Sequence, residues 1–437
     1  MSVKVPGTHA TVLSLQKRIS RTFSSLKVRN YRLYFIGQMI SLCGTWMQSI
    51  AQGLLVLRLT GSGTALGVVM GLQFAPVLLL APYGGVLADR LPKRKLLIAT
   101  QTSAGVLALV LGVLVATGAV QLWMLYLLAL ALGLINAVDN PARQTFVHEL
   151  VGAAQLGNAV SLNSIIVNVS RVVGPAIAGV IIAQMGLAAC FILNGLSFGA
   201  VLACLVMMHG SELKRSAPVK PERGQTLEGF AYAWRTPVIR TVLIMMALVG
   251  TLSYEFSVSL PLLAHVTFNG SEAAVAAGVA LLMSTMGAGA VVGGLVTAGK
   301  RGATMKALTI GAFGFGGAMA LVAISPTLLW ASAAMAVVGY FSVAFTAHTN
   351  TILQTSSAPD MRGRVMALWA MAFMGATVIG APIIGWIGQN VNPQWGLGAG
   401  AAASLVAGIV GLVTSRQGVA AVAESSRAAL AAEEEPA

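Results

Sequence analysis

The segment Gly84–Gly85–Val86–Leu87–Ala88–Asp89–Arg90–Leu91–Pro92–Lys93–Arg94–Lys95 separates two long stretches that carry no charge. Leu59 to Ala88 is uncharged on one side, and Leu96 to Val138 is uncharged for 43 residues on the other. A membrane-spanning helix needs about 20 consecutive apolar residues. The first stretch therefore holds one span, and the second holds two joined by a turn near Thr117–Gln121. The segment itself packs four basic residues, Arg90, Lys93, Arg94 and Lys95, into a short turn between spans.

The same reading extends outward. Leu33 to Leu57 is one uncharged run; Val172 to Ser211 turns at Gln184–Met185–Gly186, Ala307 to Pro359 breaks at Ser325–Pro326, and Val365 to Ser415 breaks at Asn390–Val391–Asn392–Pro393. Backbone can leave a helix only where its polar groups are satisfied, so Pro, Gly and Asn mark the turns. Twelve spans follow: 33–57, 62–87, 96–116, 121–141, 158–183, 188–208, 238–264, 272–298, 305–324, 328–350, 363–388 and 394–415. The expected class is an all-α membrane protein. Composition agrees, with 57% hydrophobic and 9% charged residues against about 25% charged in a soluble domain.

Charge sets the orientation. Of the 27 lysines and arginines, 25 fall in the N-terminal segment or on alternate loops; Arg58 lies at the other face and Arg171 within a span. The basic side is expected to be cytoplasmic, with both termini inside an inner membrane. Basic residues placed this way report topology, which argues against nucleic acid as a partner. The first 29 residues lack an apolar signal region. Cys43, Cys190 and Cys204 all lie in apolar runs without metal-ligand spacing, and read as packing residues.

The chain repeats itself. Gly84–Gly85–Val86–Leu87–Ala88 aligns with Gly293–Gly294–Leu295–Val296–Thr297, and Thr60–Gly61–Ser62 with Asn269–Gly270–Ser271, both at an offset of 209. Gly157–Asn158–Ala159–Val160 and Gly174–Pro175 align with Gly363–Arg364–Val365–Met366 and Gly380–Ala381–Pro382 at 206. Structural repeats are common in secondary transporters. The expected organisation is a cytoplasmic tail (1–29), a six-helix bundle (30–208), a linker (209–237), a second six-helix bundle (238–415) and a C-terminal tail (416–437) expected to be disordered.

The Gly85-to-Lys95 segment resembles the major facilitator signature G-x-x-x-D-R-x-G-R-R, with Pro92 where glycine is usual. Asn30–Tyr31–Arg32–Leu33–Tyr34–Phe35, Asn140–Pro141–Ala142–Arg143–Gln144 and Pro359–Asp360–Met361–Arg362–Gly363–Arg364–Val365 resemble the branch that contains the enterobactin exporter and drug-efflux proteins. Gly174–Pro175 with Gly179 resembles the antiporter motif of the fifth span, although Ser170 replaces its preceding glycine. The resemblance implies the major facilitator fold, two six-helix pseudo-repeats, and export of amphipathic small molecules by proton antiport. It also implies that the Asp89 turn faces the start of span 11 as a gate. An uptake symporter for a sugar or organic ion and a lipid flippase remain alternatives.

Individual residues carry the site expectations. Gln38, Ser41, Thr45, Gln48 and Gln52 recur at spacings of three and four on one face of span 1. They either line a solute pathway or join helices by hydrogen bonds. Arg171 sits roughly 20 Å into span 5 with Asn168 three residues before it; the pair either binds an anionic substrate group or meets a carboxylate across the bundle. Tyr254, Trp369, Trp46, Phe256, Phe341, Met366 and Met374 could furnish a broad apolar pocket. Asp89, Arg90, Arg94, Arg143, Arg362 and Arg364 form the expected gate. Asp139, four residues before Arg143, is either part of that charge network or a proton carrier. Glu255, deep in span 7 and roughly 25 Å along it, is the principal proton-coupling candidate: a carboxyl there can bind a proton in one state and release it in another. No nucleotide-binding loop, metal cluster or nucleophile–base set is present in the sequence, so no enzymatic chemistry, metal or cofactor is expected. The expected partners are a small-molecule substrate, protons and the lipid bilayer, with the chain acting as a monomer.

Overall fold

The computed structural model describes residues 24–214, 225–267, 271–299, 303–358 and 361–433. Among them there is no strand, and twelve spans are long and apolar enough to cross a bilayer. The first half comprises α1 (Arg29–Thr60), α2 (Gly63–Arg90), α3 (Lys93–Ala116), α4 (Leu122–Val151), α5 (Leu156–Met185) and α6 (Leu187–Val206). A linker helix, α7 (Gln225–Arg235), precedes the second half. There α8 (Pro237–Leu252) and α9 (Phe256–Thr267) share the seventh span, followed by α10 (Glu272–Gly299), α11 (Met305–Ala323) and α12 (Leu328–Ser356). The eleventh span consists of α13 (Arg362–Ala370), a π-helical turn at Met371–Gly375, and α14 (Thr377–Asn390); α15 (Pro393–Glu433) is the last.

The ends of the spans follow local chemistry. Ser62, Thr304 and Thr327 each accept a bond from the backbone N–H three residues on, capping α2, α11 and α12. Gly61 closes α1 with φ 62°, a left-handed conformation that suits glycine.

The two halves pack by one scheme. In the first, α1 packs on α5 and α6, α2 on α4, and α3 on α6. In the second, α8 packs on α14 and α15, α10 on α12, and α11 on α15. Two seams join the halves, α2 against α14 and α5 against α10. Gly63, Gly67 and Gly71 repeat every four residues along α2, and a Cβ at Gly67 would run into the Ala381 carbonyl of α14. Small residues at this spacing let helix backbones approach inside a bilayer. Gln389 Oε1 accepts from Ser62 Oγ at 2.7 Å and Thr64 N at 3.0 Å, and Ser284 Oγ donates to Val172 O at 3.1 Å. Toward the basic end the packing reverses: Gly84 faces Ala137 and Gly293 faces Tyr340, each in its own half. Tyr83 and Leu295 are exposed there. The halves are thus closed together at the turn end and looser at the basic end.

Three sequence expectations change. The seventh span, expected to be continuous over 238–264, is broken at Ser253–Glu255. The C-terminal segment expected as a disordered tail continues α15 to Glu433, as its many alanines favour; residues 434–437 lie outside the described residues. In the N-terminal segment, residues 1–23 also lie outside them, while Ser24–Lys27 forms a short 3-10 turn and the buried Ser25 donates through its backbone to Asn158 Oδ1 at 3.0 Å. Of the linker, residues 215–224 are likewise outside.

Candidate transport site

The break in the seventh span is held from outside the span. Ser253 Oγ donates to Gly400 O at 2.6 Å and lies 2.8 Å from Ser404 Oγ, both in α15. Gly380 of α14 approaches so closely that a Cβ there would meet the Thr251 carbonyl. Helix resumes where Glu255 O accepts from Ser259 N at 2.9 Å and Ser259 Oγ at 2.7 Å. The π-helical turn of the eleventh span sits beside this break, with Gly250 against Ala372. Irregular backbone inside a membrane is tolerated where protein or a cavity satisfies it, and broken spans are a recurrent feature of transporter binding sites.

Glu255 occupies the break, 3% exposed. Thr377 of α14 lies beside its carboxyl, while Oε1 is buried with no partner among the described residues. Beside it, the Tyr254 ring packs on Phe373 (4.9 Å between centroids), Phe315 (5.2 Å) and Phe256 (6.2 Å). Its hydroxyl donates to Ser342 O at 2.6 Å. Phe373 continues to Trp369 at 5.4 Å, whose Nε1 donates to Thr349 Oγ1 at 3.2 Å. The structure therefore gathers Tyr254, Trp369, Phe256 and Glu255 around one irregular point.

Arg171 reaches toward this cluster from the first half. Its guanidinium lies over the Trp46 ring, 5.2 Å from the centroid, and interacts electrostatically with Tyr254. Its Nε is buried without a hydrogen-bond partner among the described residues. Among the described residues no carboxylate pairs with it, so the carboxylate alternative is not realised here. Asn168 does not join it: Asn168 Nδ2 is turned back to Ser164 O at 2.8 Å.

The polar stripe of α1 faces the interior of the first half. Ser41, Thr45, Gln48 and Gln52 line a cavity of about 210 Å³ together with Gln73, Gln101, Asn136, Asn140, Asp139 and Arg143. Several of its members already act as interhelical bonds: Asn194 Nδ2 donates to Gln48 Oε1 at 2.7 Å, and Arg143 Nη1 to Gln38 Oε1 at 3.2 Å. Thr45 bonds its own backbone at Ser41 O. Asp139 is 1% exposed and accepts from Thr100 Oγ1 at 2.6 Å, Gln101 Nε2 at 2.9 Å and Arg143 Nη2.

The expected gate residues have other partners. Arg364 pairs with Glu228 of α7 at 2.7 Å. Arg94 donates to Leu205 O and Val206 O at the end of α6 (2.7 and 2.8 Å), where cations suit the carbonyl end of a helix. Arg90 and Arg362 are exposed. The side chain of Asp89, and Asp360 entirely, lie outside the described residues. Sequence reasoning missed the buried Lys93–Glu149 pair at 2.8 Å, and also Thr377, Gly380 and Ser253. The Gly63–Gly67–Gly71 spacing was the one available signal for the seam.

The model of the transmembrane secretion effector family matches residues 20–435. The chain belongs to that family, within the major facilitator superfamily. Among its relatives, the staphyloferrin A transporter of Staphylococcus aureus is 28% identical over 59% of this chain and 64% of its own length. The enterobactin exporter EntS of Salmonella typhimurium is 25% identical over 83% of this chain and 86% of its own. Solved structures share the fold. A bacterial homologue of the human lysosomal transporter Spinster, inward-facing and occupied, matches with TM-score 0.69 at 14% identity over 89% of this chain and 97% of that one. The nucleoside transporter NupG matches with TM-score 0.69 at 12% identity over 88% and 98%. This secretion-effector chain is a multi-pass membrane transporter of small molecules, not an enzyme.

Proposed function

We propose that this transporter exports amphipathic, siderophore-like or drug-like molecules by proton antiport and alternating access. The observation that carries the reading is the broken seventh span, where a buried carboxyl with one oxygen unpartnered among the described residues adjoins an aromatic cluster. A carboxyl so placed can exchange a proton as its surroundings change, while aromatic rings accept varied apolar surfaces. Glu255 is the principal coupling carboxyl and Asp139 the secondary one. Arg171, Tyr254 and Trp369 are the leading substrate contacts. Gln38, Thr45, Gln48, Gln52 and Asn168, on the first-half side, contribute less directly, because most already bond within the protein. The export direction draws on the two siderophore-named relatives.

The basic end is read as cytoplasmic, which makes the present arrangement open to the cytoplasm, the state in which an exporter collects its load. Closing that end would bring the Asp89–Arg90 turn and Arg94 toward Arg362 and Arg364, with Arg143 fixed by Asp139 behind them. The test is uptake of labelled siderophores into inverted vesicles under an imposed pH gradient. Uphill accumulation that collapses with a protonophore supports the reading. Accumulation in whole cells instead would favour the symport alternative.

A further inference from the structure

Linker helix α7 has three distinct sides. Gly229 and Ala233, four residues apart, are buried, and Gly229 packs on Arg364 of α13. Tyr232 on the same side accepts a bond from Ala358 N at 3.0 Å. Phe230 and Trp234, also four apart, form a second side turned roughly 120° away. Their rings stack at 5.9 Å with an interplanar angle of 14°, and each is more than half exposed (54% and 55%). Glu228 and Arg235, both exposed, mark the third side. Arg240, at the start of α8, places its guanidinium 5.9 Å from the Trp234 ring.

Position adds the decisive constraint. Only Thr236 separates α7 from Pro237, where the seventh span begins. The helix thus lies at the membrane boundary on the end that carries the basic loops. Eleven residues, about 16 Å, cannot cross a bilayer. A short helix with one protein-facing side, one aromatic side and adjacent arginines is the form that lies in the plane of the interface, and tryptophan favours that depth.

We infer that α7 is an interfacial helix whose Phe230–Trp234 side enters the headgroup region and whose Arg235 and Arg240 bind anionic phospholipid headgroups. Through Tyr232–Ala358 the same helix holds the turn after the tenth span, and through Glu228–Arg364 the start of the eleventh, so lipid binding bears on the element expected to close the transporter. The site is independent of what the protein exports.

A spin label on Phe230→Cys, in a variant lacking Cys43, Cys190 and Cys204, tests this in reconstituted full-length protein. The label should be accessible to oxygen and protected from an aqueous nickel chelate. Chelate access equal to that of a water-exposed loop site would overturn the placement. In unlabelled protein, preference for spin-labelled phosphatidylglycerol over phosphatidylcholine should fall roughly fivefold for each of Arg235→Gln and Arg240→Gln. Unchanged preference in the double variant would overturn the headgroup assignment, and a monodisperse elution profile with the parent's melting temperature verifies that both variants remain folded.

Discussion

Asp139 and Glu255 are both buried acids within spans, yet their surroundings are opposite. Asp139 sits in a continuous helix and receives Thr100, Gln101 and Arg143, the last supplied by its own helix one turn later. Glu255 sits where the helix stops, with Thr377 beside its carboxyl and Oε1 unpartnered among the described residues. A fully bonded carboxylate is costly to disturb and serves to hold helices together. A carboxyl with an unused oxygen has room for a proton or a ligand. The geometry of the first half suits its acid to fastening helices and that of the second leaves its acid more available, which is why Asp139 is proposed only as the secondary coupling carboxyl.

Breaking the fastener should have the largest effect. Asp139→Ala leaves the partly exposed Arg143 without its counter-charge and Thr100 and Gln101 without their buried acceptor, and should destabilise the protein by about 3 kcal/mol, read as loss of detergent-solubilised monodisperse protein. A double variant, Asp139→Asn with Arg143→Gln, should recover much of that loss, because no isolated charge remains. Failure of the double variant to recover would show that the pair does more than neutralise itself.

On the other side of the comparison, Gly380→Val should force α14 away from Thr251. Transport should fall at least tenfold while the variant still inserts, measured as flux per molecule in proteoliposomes. Normal flux would mean that the close contact at the break is dispensable. Arg171→Lys should reduce transport of anionic substrates severalfold more than that of neutral ones, since an ammonium cannot reproduce the planar stacked guanidinium. Equal effects on both classes would confine Arg171 to packing on Trp46. The smallest effect is expected from Ser253→Ala, which removes one interhelical hydrogen bond worth about 1 kcal/mol, seen as a modest drop in melting temperature.

The spans were legible because long uncharged runs such as Leu96 to Val138 cannot build a water-facing surface, and the repeat because Gly–Gly and Gly–Pro recur at one offset. The Asp139–Arg143 pair was legible from its spacing of four. The break at Ser253–Glu255 was not, since Ser, Tyr and Glu are all tolerated within helices. What interrupts the helix is Gly380 and Gly400, more than 120 residues away in sequence. Arg171 was legible as a misplaced charge, but its seat on Trp46 depends on how α1 and α5 cross. The linker read as basic and proline-containing, which concealed the four-residue spacing of Phe230 and Trp234.

The central claim is that Glu255 couples proton movement to transport. Glu255→Gln keeps the size of the side chain and fixes it in the neutral form. Uphill, gradient-driven transport into inverted vesicles should be lost, while equilibrium binding of the same substrate survives and no longer depends on pH. Undiminished uphill transport by Glu255→Gln would contradict the account and return the coupling role to Asp139.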